Sequence, residues 1–319
     1  MEKFKRVIVI GSGGDAPGMN AFIDGLLKHT KSAGIDLYAG HGGYDGIVND
    51  RIYKLENIGY NAQKAGCIIG AGRSHEFQTP EGVQKAIANI KKHEIDVVVV
   101  CGGNGSLKGA WENLAQNGVP VMGVPATIDN DVMFTDNSLG FSSSVQFAVE
   151  QIDGLRETMT TNNRHVIVEV MGRNAPMMAD KIGVAGNVDL VDTVEKRYTT
   201  KQMAKFLLSA GENESKIVVV QEVKNGDVHT QNYASANYLQ EVMTYMGGRS
   251  DSLRAVVLGH LQRGCRPTAH DRYLGFRYAE YVVRAIVTGN LNRAVGIMRN
   301  TNTVGSVPIE DANKGGERY

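Results

Sequence analysis

The chain has 319 residues, enough for one large domain or two ordinary domains with hydrophobic cores. Its 34 lysines and arginines balance 34 aspartates and glutamates, so no basic surplus indicates a nucleic-acid-binding protein. No apolar run reaches the length of a membrane span or a signal peptide, and the three cysteines are widely spaced, so we expect a soluble cytoplasmic protein with neither a membrane partner nor a disulfide framework.

Short runs rich in β-branched residues predict the strands. Each run closes on a glycine or a polar turn, and the runs are continuous rather than alternating, which is typical of strands buried on both faces of a parallel sheet. In chain order they occupy residues 7–10, 97–100, 119–124, 166–170, 217–220 and 255–258.

Helical stretches lie between these runs. Thr79 as a cap and Pro80 at the first helical position predict a helix over residues 80–92, and Thr268 and Gly289 bracket a longer one. The alternation of strands and helices predicts an α/β fold with two doubly wound, mostly parallel sheets.

The pattern breaks at residues 138–145, where we expect a domain boundary. Residues 225–251 read as a surface excursion and residues 300–319 as a loosely held tail.

Two glycine-rich turns follow predicted strands. Residues 11–18 read Gly-Ser-Gly-Gly-Asp-Ala-Pro-Gly, and residues 102–106 read Gly-Gly-Asn-Gly-Ser. Backbone N–H groups of such turns can approach a phosphate closely. Neither turn has the P-loop or the dinucleotide spacing, so a merely tight connection is the alternative for each turn alone. Two such turns together favour a nucleotide-phosphate site.

Residues 127–131, Thr-Ile-Asp-Asn-Asp, close another predicted strand. In an extended segment Asp129 and Asp131 would project to the same side. One carboxylate could then act as base towards a hydroxyl group, while the other holds a metal or orients the first. The alternative is an ordinary turn rich in Asp and Asn.

Basic side chains also stand near predicted strand ends. The planar guanidinium group of arginine suits phosphate, although surface salt bridging is the more common role of a single arginine. These residues are Arg164, Arg173, Arg254 and Arg263, together with His260.

Taken in order, these motifs resemble the bacterial-type phosphofructokinase family from residue 11 to about residue 298. The resemblance rests on residues 13–20 (Gly-Gly-Asp-Ala-Pro-Gly-Met-Asn), 127–131, 169–173 (Glu-Val-Met-Gly-Arg) and 258–264 (Leu-Gly-His-Leu-Gln-Arg-Gly). It implies phosphoryl transfer from ATP to the 1-hydroxyl of fructose 6-phosphate in glycolysis, with Mg²⁺, usually in a homotetramer. It also implies a larger nucleotide-binding domain (1–140 and about 262–304) and a smaller sugar-phosphate and effector domain (141–261 and about 305–319).

The resemblance assigns roles on the acceptor side. Asp129 resembles the base, and Thr127, Arg173, Gly14 and Arg73 resemble residues that assist the transferring phosphoryl group. The implied sugar-phosphate ligands are Thr127, Asp129, Asp131, Met171, Gly172, Arg173, Glu222, His260 and Arg263. Arg164 and Arg254 resemble a pair that completes the site of a neighbouring subunit by reaching its 6-phosphate.

On the donor side, the resemblance implies nucleotide contacts by Gly14, Tyr44, Arg73, Ser74, Gly103, Asn104, Gly105, Ser106 and Gly109. Asn104 stands where the family usually has a magnesium-linked Asp, and Gln78 where a basic residue is common. The alternative is therefore a catalytically weakened or regulatory paralogue that binds fructose 6-phosphate. Gly105 and Ala126 lack the Asp and Lys typical of pyrophosphate-using relatives, which favours ATP as donor.

The effector site of the family is matched only in part. The candidates for it are Lys28, Arg51, Arg156 and Asp189. Asp24 stands where an arginine is usual, and residues 211–216 replace a lysine-rich turn with an acidic one. Acidic side chains repel phosphorylated effectors, so we expect weak or altered allosteric control.

Overall fold

The computed structural model of the chain describes residues 4–173, 175–211, 213–222 and 236–314. The strands in these ranges are β1 Arg6–Ser12, β2 Asp36–Gly40, β3 Ile52–Lys54, β4 Ala71–Gly72, β5 Val97–Gly102, β6 Val121–Pro125, β7 His165–Val170, β8 Leu190–Asp192, β9 Ile217–Gln221, β10 Leu253–Val257, β11 Arg293–Ile297 and β12 Val304–Pro308. The α-helices are α1 Met19–Ser32, α2 Tyr44–Val48, α3 Pro80–Lys92, α4 Asn104–Gly109, α5 Phe141–Thr161, α6 Pro176–Ala185, α7 Thr200–Leu208, α8 Ala236–Met246, α9 Leu261–Gly264 and α10 Ala269–Thr288.

The chain folds as two units, one of Met1–Ser143 and Arg263–Tyr319 and the other of Ser144–Gln262. The sheet of the first unit has the order β12-β11-β6-β5-β1-β2-β3, with β4 paired to β1. Its central pairs are parallel, and only β2–β3 and β11–β12 are antiparallel. All residues of β5 and β6 are buried, as expected for strands covered on both faces.

The second unit contains a wholly parallel sheet of order β10-β7-β9-β8. Its core joins apolar side chains of β7 and β9 to those of α7 and α8. The predicted α/β fold with two mostly parallel sheets is therefore confirmed. None of the described helices combines the length and hydropathy needed to cross a bilayer.

Helix boundaries follow the capping signals of the sequence. The Thr79 hydroxyl accepts the N–H of Gly82 at 3.1 Å, and Pro80 opens α3. Thr268 accepts the N–H of Asp271 at 3.4 Å, and Gly289 ends α10 in the left-handed conformation. Both predicted helices begin and end within one residue of the predicted positions.

Three expectations about chain segments differ from the structure. Residues 304–308 were predicted to be part of a loose tail, but they form β12, which pairs with β11 in the first sheet. Residues from 305 onwards were predicted to belong to the smaller domain. That assignment is wrong for the residues that the structure describes, because they belong to the first unit. Within the stretch predicted as a surface excursion, residues 225–235 lie outside the described residues. Residues 236–246 form α8, because Tyr238, Val242 and Met246 recur at helical spacing and are buried.

His165 makes the stability of the second unit depend on pH. It is fully buried at the start of β7, its Nδ1 accepts the N–H of Lys216 at 3.1 Å, and burial followed by the charges of Arg249 and Lys216 lowers its pKa. The unfolded chain therefore binds the proton first, and the free energy of unfolding should fall as the pH drops below about 6.5. Denaturant titrations across this range should show a smaller loss for His165→Gln, which keeps an acceptor but does not titrate. An identical loss in both proteins would contradict this prediction.

Candidate active site

A cavity of about 500 Å³ lies in the first unit, beyond the carboxyl ends of the neighbouring strands β1, β5 and β6. Parallel strands place the loops that follow them at one edge of the sheet, where ligands of such folds bind. Every predicted nucleotide-contacting residue lines this cavity, and so do Thr127, Asp129, Asp131 and Arg263. The sequence motifs that are far apart in the chain therefore meet at one place.

The two glycine-rich turns pack directly against each other. The Ser106 hydroxyl donates to the Ser12 carbonyl oxygen at 3.1 Å and to the Ser12 hydroxyl at 2.8 Å. A Cβ at Gly102 would stand 2.5 Å from the Ser12 carbonyl oxygen, so only glycine allows this approach. The arrangement joins the ends of β1 and β5 in one continuous wall of the cavity.

An aromatic pair forms another part of the cavity wall. The rings of Tyr44 and Phe77 stack with centroids 4.0 Å apart, and the Tyr44 hydroxyl donates to the Ser106 carbonyl oxygen at 2.7 Å. Burial raises the pKa of Tyr44, so the phenol stays protonated and keeps this hydrogen bond. Asn113 lines the cavity beside them and donates to the Phe77 carbonyl oxygen at 3.0 Å.

Asp129 and Asp131 both line the cavity, but not because the segment is extended. Asn130, between them, is buried and adopts the left-handed conformation with φ 52°. Its Oδ1 accepts the N–H of Ser138 at 2.7 Å, and its Nδ2 donates to the carbonyl oxygen of Asp136. The segment is thus an anchored turn rather than the extended strand end that the sequence analysis assumed. The Thr127 hydroxyl further fixes this turn by accepting the Asp129 N–H at 3.2 Å.

The cavity offers oxygen ligands that suit a magnesium ion. Asn104 donates through Nδ2 to the Asp131 carbonyl oxygen at 3.2 Å, while its buried Oδ1 has no hydrogen-bond partner. Mg²⁺ prefers oxygen ligands and usually takes one or two carboxylates together with substrate phosphates, which Asn104 and Asp131 could complement. Across the described parts of the chain, no three His, Cys, Asp or Glu residues cluster as a metal site without such a substrate.

Arg263 lies on the same cavity as the predicted donor contacts. Its Nη1 stands 2.8 Å from the point that a Cβ on Gly14 would occupy, and it donates to the carbonyl oxygen of Asp15 at 3.4 Å. The resemblance assigned Arg263 to the sugar phosphate alone. In the structure its positive charge also adjoins the turn that is proposed to hold phosphate.

The second unit has its own cluster of predicted acceptor residues. Met171, Gly172 and Arg173 follow β7, Glu222 follows β9, and His260 lies in the turn after β10. These strands are neighbours and run parallel, so the residues gather at one edge of the second sheet. The Glu222 N–H donates to the Val170 carbonyl oxygen at 2.8 Å, which ties two of these strand ends together.

Arg164 and Arg254 lie at the other end of these strands, near their amino ends. Arg164 immediately precedes β7, and Arg254 is the second residue of β10. The seven residue steps from Arg164 to Met171 correspond to roughly 20 Å of strand. Arg164 and Arg254 therefore do not join the cluster that contains His260 within the second unit of one chain.

The comparisons with known proteins agree with the motifs. Residues 6–286 match the sequence profile described as Phosphofructokinase. An ATP-dependent 6-phosphofructokinase of Streptococcus agalactiae serotype III (strain NEM316) is 38% identical over 298 residues, which cover 92% of this chain and 84% of that protein. The chain belongs to the phosphofructokinase family. The predicted family is thereby confirmed.

Solved phosphofructokinase structures share the fold. The structure of phosphofructokinase from Saccharomyces cerevisiae is 25% identical, with a TM-score of 0.81, and the match covers 97% of this chain but only 45% of the yeast chain. The chain thus spans less than half the length of that relative. A pyrophosphate-dependent phosphofructokinase from Marinobacter aquaeolei, 20% identical with a TM-score of 0.83, shows a common fold over 97% of this chain and 84% of that chain.

The predicted effector residues make local contacts. Lys28 pairs with Asp24 at 2.5 Å, and Arg51 pairs with Asp45. In the second unit, Arg156 donates to the carbonyl oxygens of Gly186 and Asn187, and Asp189 accepts the N–H of Ile217 at 2.7 Å. The charged groups that would meet an effector therefore already have partners within the protein. The assignment of an effector site stays a prediction.

Three side chains that line the cavity, those of Ser12, Phe77 and Asn113, were given no role from the sequence. A signal for Asn113 was present, because it lies four residues after Gly109 and seven after Ser106, on one face of a continuing helix. Phe77 had no comparable signal, since it reaches the cavity through its stacking on Tyr44.

Proposed function

We propose that the chain transfers the terminal phosphoryl group of ATP to the 1-hydroxyl of fructose 6-phosphate, giving fructose 1,6-bisphosphate, as a step of glycolysis in the cytoplasm. The observation that carries the proposal is the cavity in which two glycine-rich turns meet the Asp129 turn. Membership of the phosphofructokinase family and the ATP-dependent relatives support the same reaction. The first unit serves as the nucleotide-binding domain, and the second as the sugar-phosphate domain.

Asp129 is the base of this reaction. Its carboxylate takes the proton of the sugar 1-hydroxyl while the oxygen attacks the terminal phosphorus and the bond to ADP breaks. Phosphoryl transfer asks little covalent work of a protein, so positioning and charge stabilisation supply most of the rate enhancement. The anchored turn serves this purpose because Asn130 fixes the backbone after the base and the Thr127 hydroxyl accepts the N–H of the base itself.

The charge that develops on the transferring group is stabilised from the cavity wall. Arg73 and Thr127 line the cavity with Asp129, and the guanidinium group of Arg263 adjoins the turn at Gly14. Preorganised donors in such positions are worth about 10²–10³ in rate each. Arg173 is proposed to act in the same way from the second unit.

Magnesium supports the donor phosphates. Asn104 and Asp131 would hold the ion, because both residues line the cavity and the buried amide oxygen of Asn104 has no hydrogen-bond partner. When bound, Mg²⁺ neutralises phosphate charge and helps to orient the transferring group. Asp129 then remains available for the proton of the sugar.

ATP is favoured over pyrophosphate by the space beside the second glycine turn. A Cβ at Gly105 would meet nothing within 4 Å, and Gly105 and Ala126 both line the cavity. Small residues at these two positions leave room for a nucleoside and add no charge for pyrophosphate. The stacked Tyr44 and Phe77 add an apolar wall that suits a base.

We further propose that the chain assembles into a homo-oligomer, as a tetramer. Arg164 and Arg254 stand at the far edge of the second sheet and are too distant from Met171 to share its ligand within that unit. In an assembly they would instead reach the 6-phosphate in the site of a neighbouring subunit.

The proposed function is tested by assaying the purified protein with a panel of donors and acceptors. ATP and pyrophosphate are each supplied with Mg²⁺ and with fructose 6-phosphate or other sugar phosphates, and bisphosphate formation is followed in a coupled assay. Turnover with ATP and fructose 6-phosphate supports the kinase. If the protein binds fructose 6-phosphate but shows no turnover with any donor, the result would instead support the second candidate, a regulatory paralogue. Asn104 is the residue that motivates this candidate.

A further inference from the structure

We infer that two fully buried glutamines, Gln221 and Gln262, are positioning residues that fix the turn after β7, which presents Met171, Gly172 and Arg173. The inference rests on the proposed function, because that function assigns this turn to the sugar phosphate. Neither glutamine is exposed, so each would act through the backbone of the turn rather than on the substrate. Gln221 ends β9, one neighbour of β7, and Gln262 lies in α9, which follows the other neighbour, β10.

Gln262 holds the first peptide group of the turn. Its Oε1 accepts the N–H of Met171 at 2.8 Å, and its Nε2 donates to the Ser144 hydroxyl at 3.1 Å and contacts Sδ of Met178 at 3.2 Å. Gln262 itself is fixed because its N–H donates to the Gly259 carbonyl oxygen at 3.1 Å. This links the turn after β7 to the turn that contains His260.

Gln221 holds the other end of the turn. It is the last residue of β9, and its Nε2 donates to the carbonyl oxygen of Gly172. Its Oε1 accepts the N–H of Val194 at 2.8 Å, which ties the same amide to the segment after β8. Glu222, a predicted sugar-phosphate ligand, follows Gln221 directly.

The turn between the glutamines has a conformation that needs such support. Gly172 has φ 105°, and a Cβ there would stand 2.9 Å from the carbonyl oxygen of Ala175. The two amides face it with opposite polarity, an acceptor towards Met171 N–H and a donor towards Gly172 C=O. With both bonds in place the two peptide groups cannot rotate, so the direction in which Arg173 leaves the turn is set.

Kinetic measurements distinguish a positioning role of the two glutamines from a purely structural one. If their role were purely structural, their replacement would leave the kinetics of the folded protein unchanged. We expect Gln221→Met and Gln262→Met to raise both Kd and KM for fructose 6-phosphate about tenfold each, the effect of one lost buried hydrogen bond. The value of kcat should fall as well. The KM for ATP should stay unchanged, because the donor cavity is lined by residues of the first unit.

Gln202→Met is the matched control. Gln202 lies in the same unit, and its Oε1 accepts the N–H of Thr199 at 2.9 Å in the capping box of α7. This control should lose stability but keep the wild-type kinetics. If all three variants have the same kinetics as an active wild type, the positioning role is wrong while the proposed function stands. A wild type without turnover overturns the proposed function and the inference with it.

Gln221→Glu supplies a readout that packing alone would not produce. A buried carboxyl group has a raised pKa, so at lower pH it is protonated and can donate to the Gly172 carbonyl oxygen. At higher pH it is ionised and presents only acceptors to that oxygen. The KM for fructose 6-phosphate, divided by the wild-type value at each pH, should fall towards one as the pH is lowered. A constant ratio with pH would contradict the role of Gln221.

Discussion

Asp129→Asn is expected to lower kcat by about 10²–10⁴-fold while the affinity for fructose 6-phosphate changes little. Asparagine has nearly the same shape and can keep the backbone turn, because Asn130 and Thr127 anchor that turn. It cannot accept the proton of the sugar hydroxyl. Steady-state kinetics together with a direct binding titration of the sugar phosphate measure both effects.

Asp136→Asn is the control for this experiment. Asp136 lies on the same loop, is exposed, and accepts the N–H of Asn300 at 2.8 Å outside the cavity. The same change of charge and shape should leave kcat at the wild-type value. A residual kcat of Asp129→Asn close to that of Asp136→Asn would show that another group takes the proton, and would remove Asp129 from the mechanism.

The sequence predicted the site better than it predicted the packing around it. The glycine turns and the Asp129 segment were identified because each follows an apolar run, and parallel strands bring such ends to one edge. The left-handed Asn130 was not predicted, since its conformation depends on hydrogen bonds to Asp136 and Ser138, which only the folded loop supplies.

The elements of the fold were likewise predicted only in part. Buried parallel strands such as β5 were predicted because every one of their residues is covered, and that produces a continuous apolar run. The edge strand β12 was missed, because its partly exposed residues show no such run and it is held by antiparallel pairing with β11. Gln221 and Gln262 were assigned no role either, since a buried amide is recognised by its partners and not by its neighbours in sequence.

Gly102→Ala is expected to lower the free energy of unfolding by about 1–3 kcal/mol or more and to weaken ATP binding at least about tenfold. The new methyl group would stand 2.5 Å from the carbonyl oxygen of Ser12 and 2.6 Å from the hydroxyl of Ser106. Ser12 and Gly102 are paired in the β1–β5 ladder, and the Gly102 carbonyl oxygen also accepts the N–H of Ala126. A shift that relieves the clash therefore disturbs three strand ends at once.

Gly105→Ala isolates this effect from the general cost of replacing glycine. It lies in the same turn, but its Cβ would meet nothing within 4 Å, and alanine favours the helix that begins there. Denaturant unfolding should leave Gly105→Ala at least as stable as the wild type and Gly102→Ala clearly less stable. Equal stabilities would mean that the ends of β1 and β5 can separate without loss. In that case the close approach of the two glycine turns would not determine the shape of the donor side of the cavity.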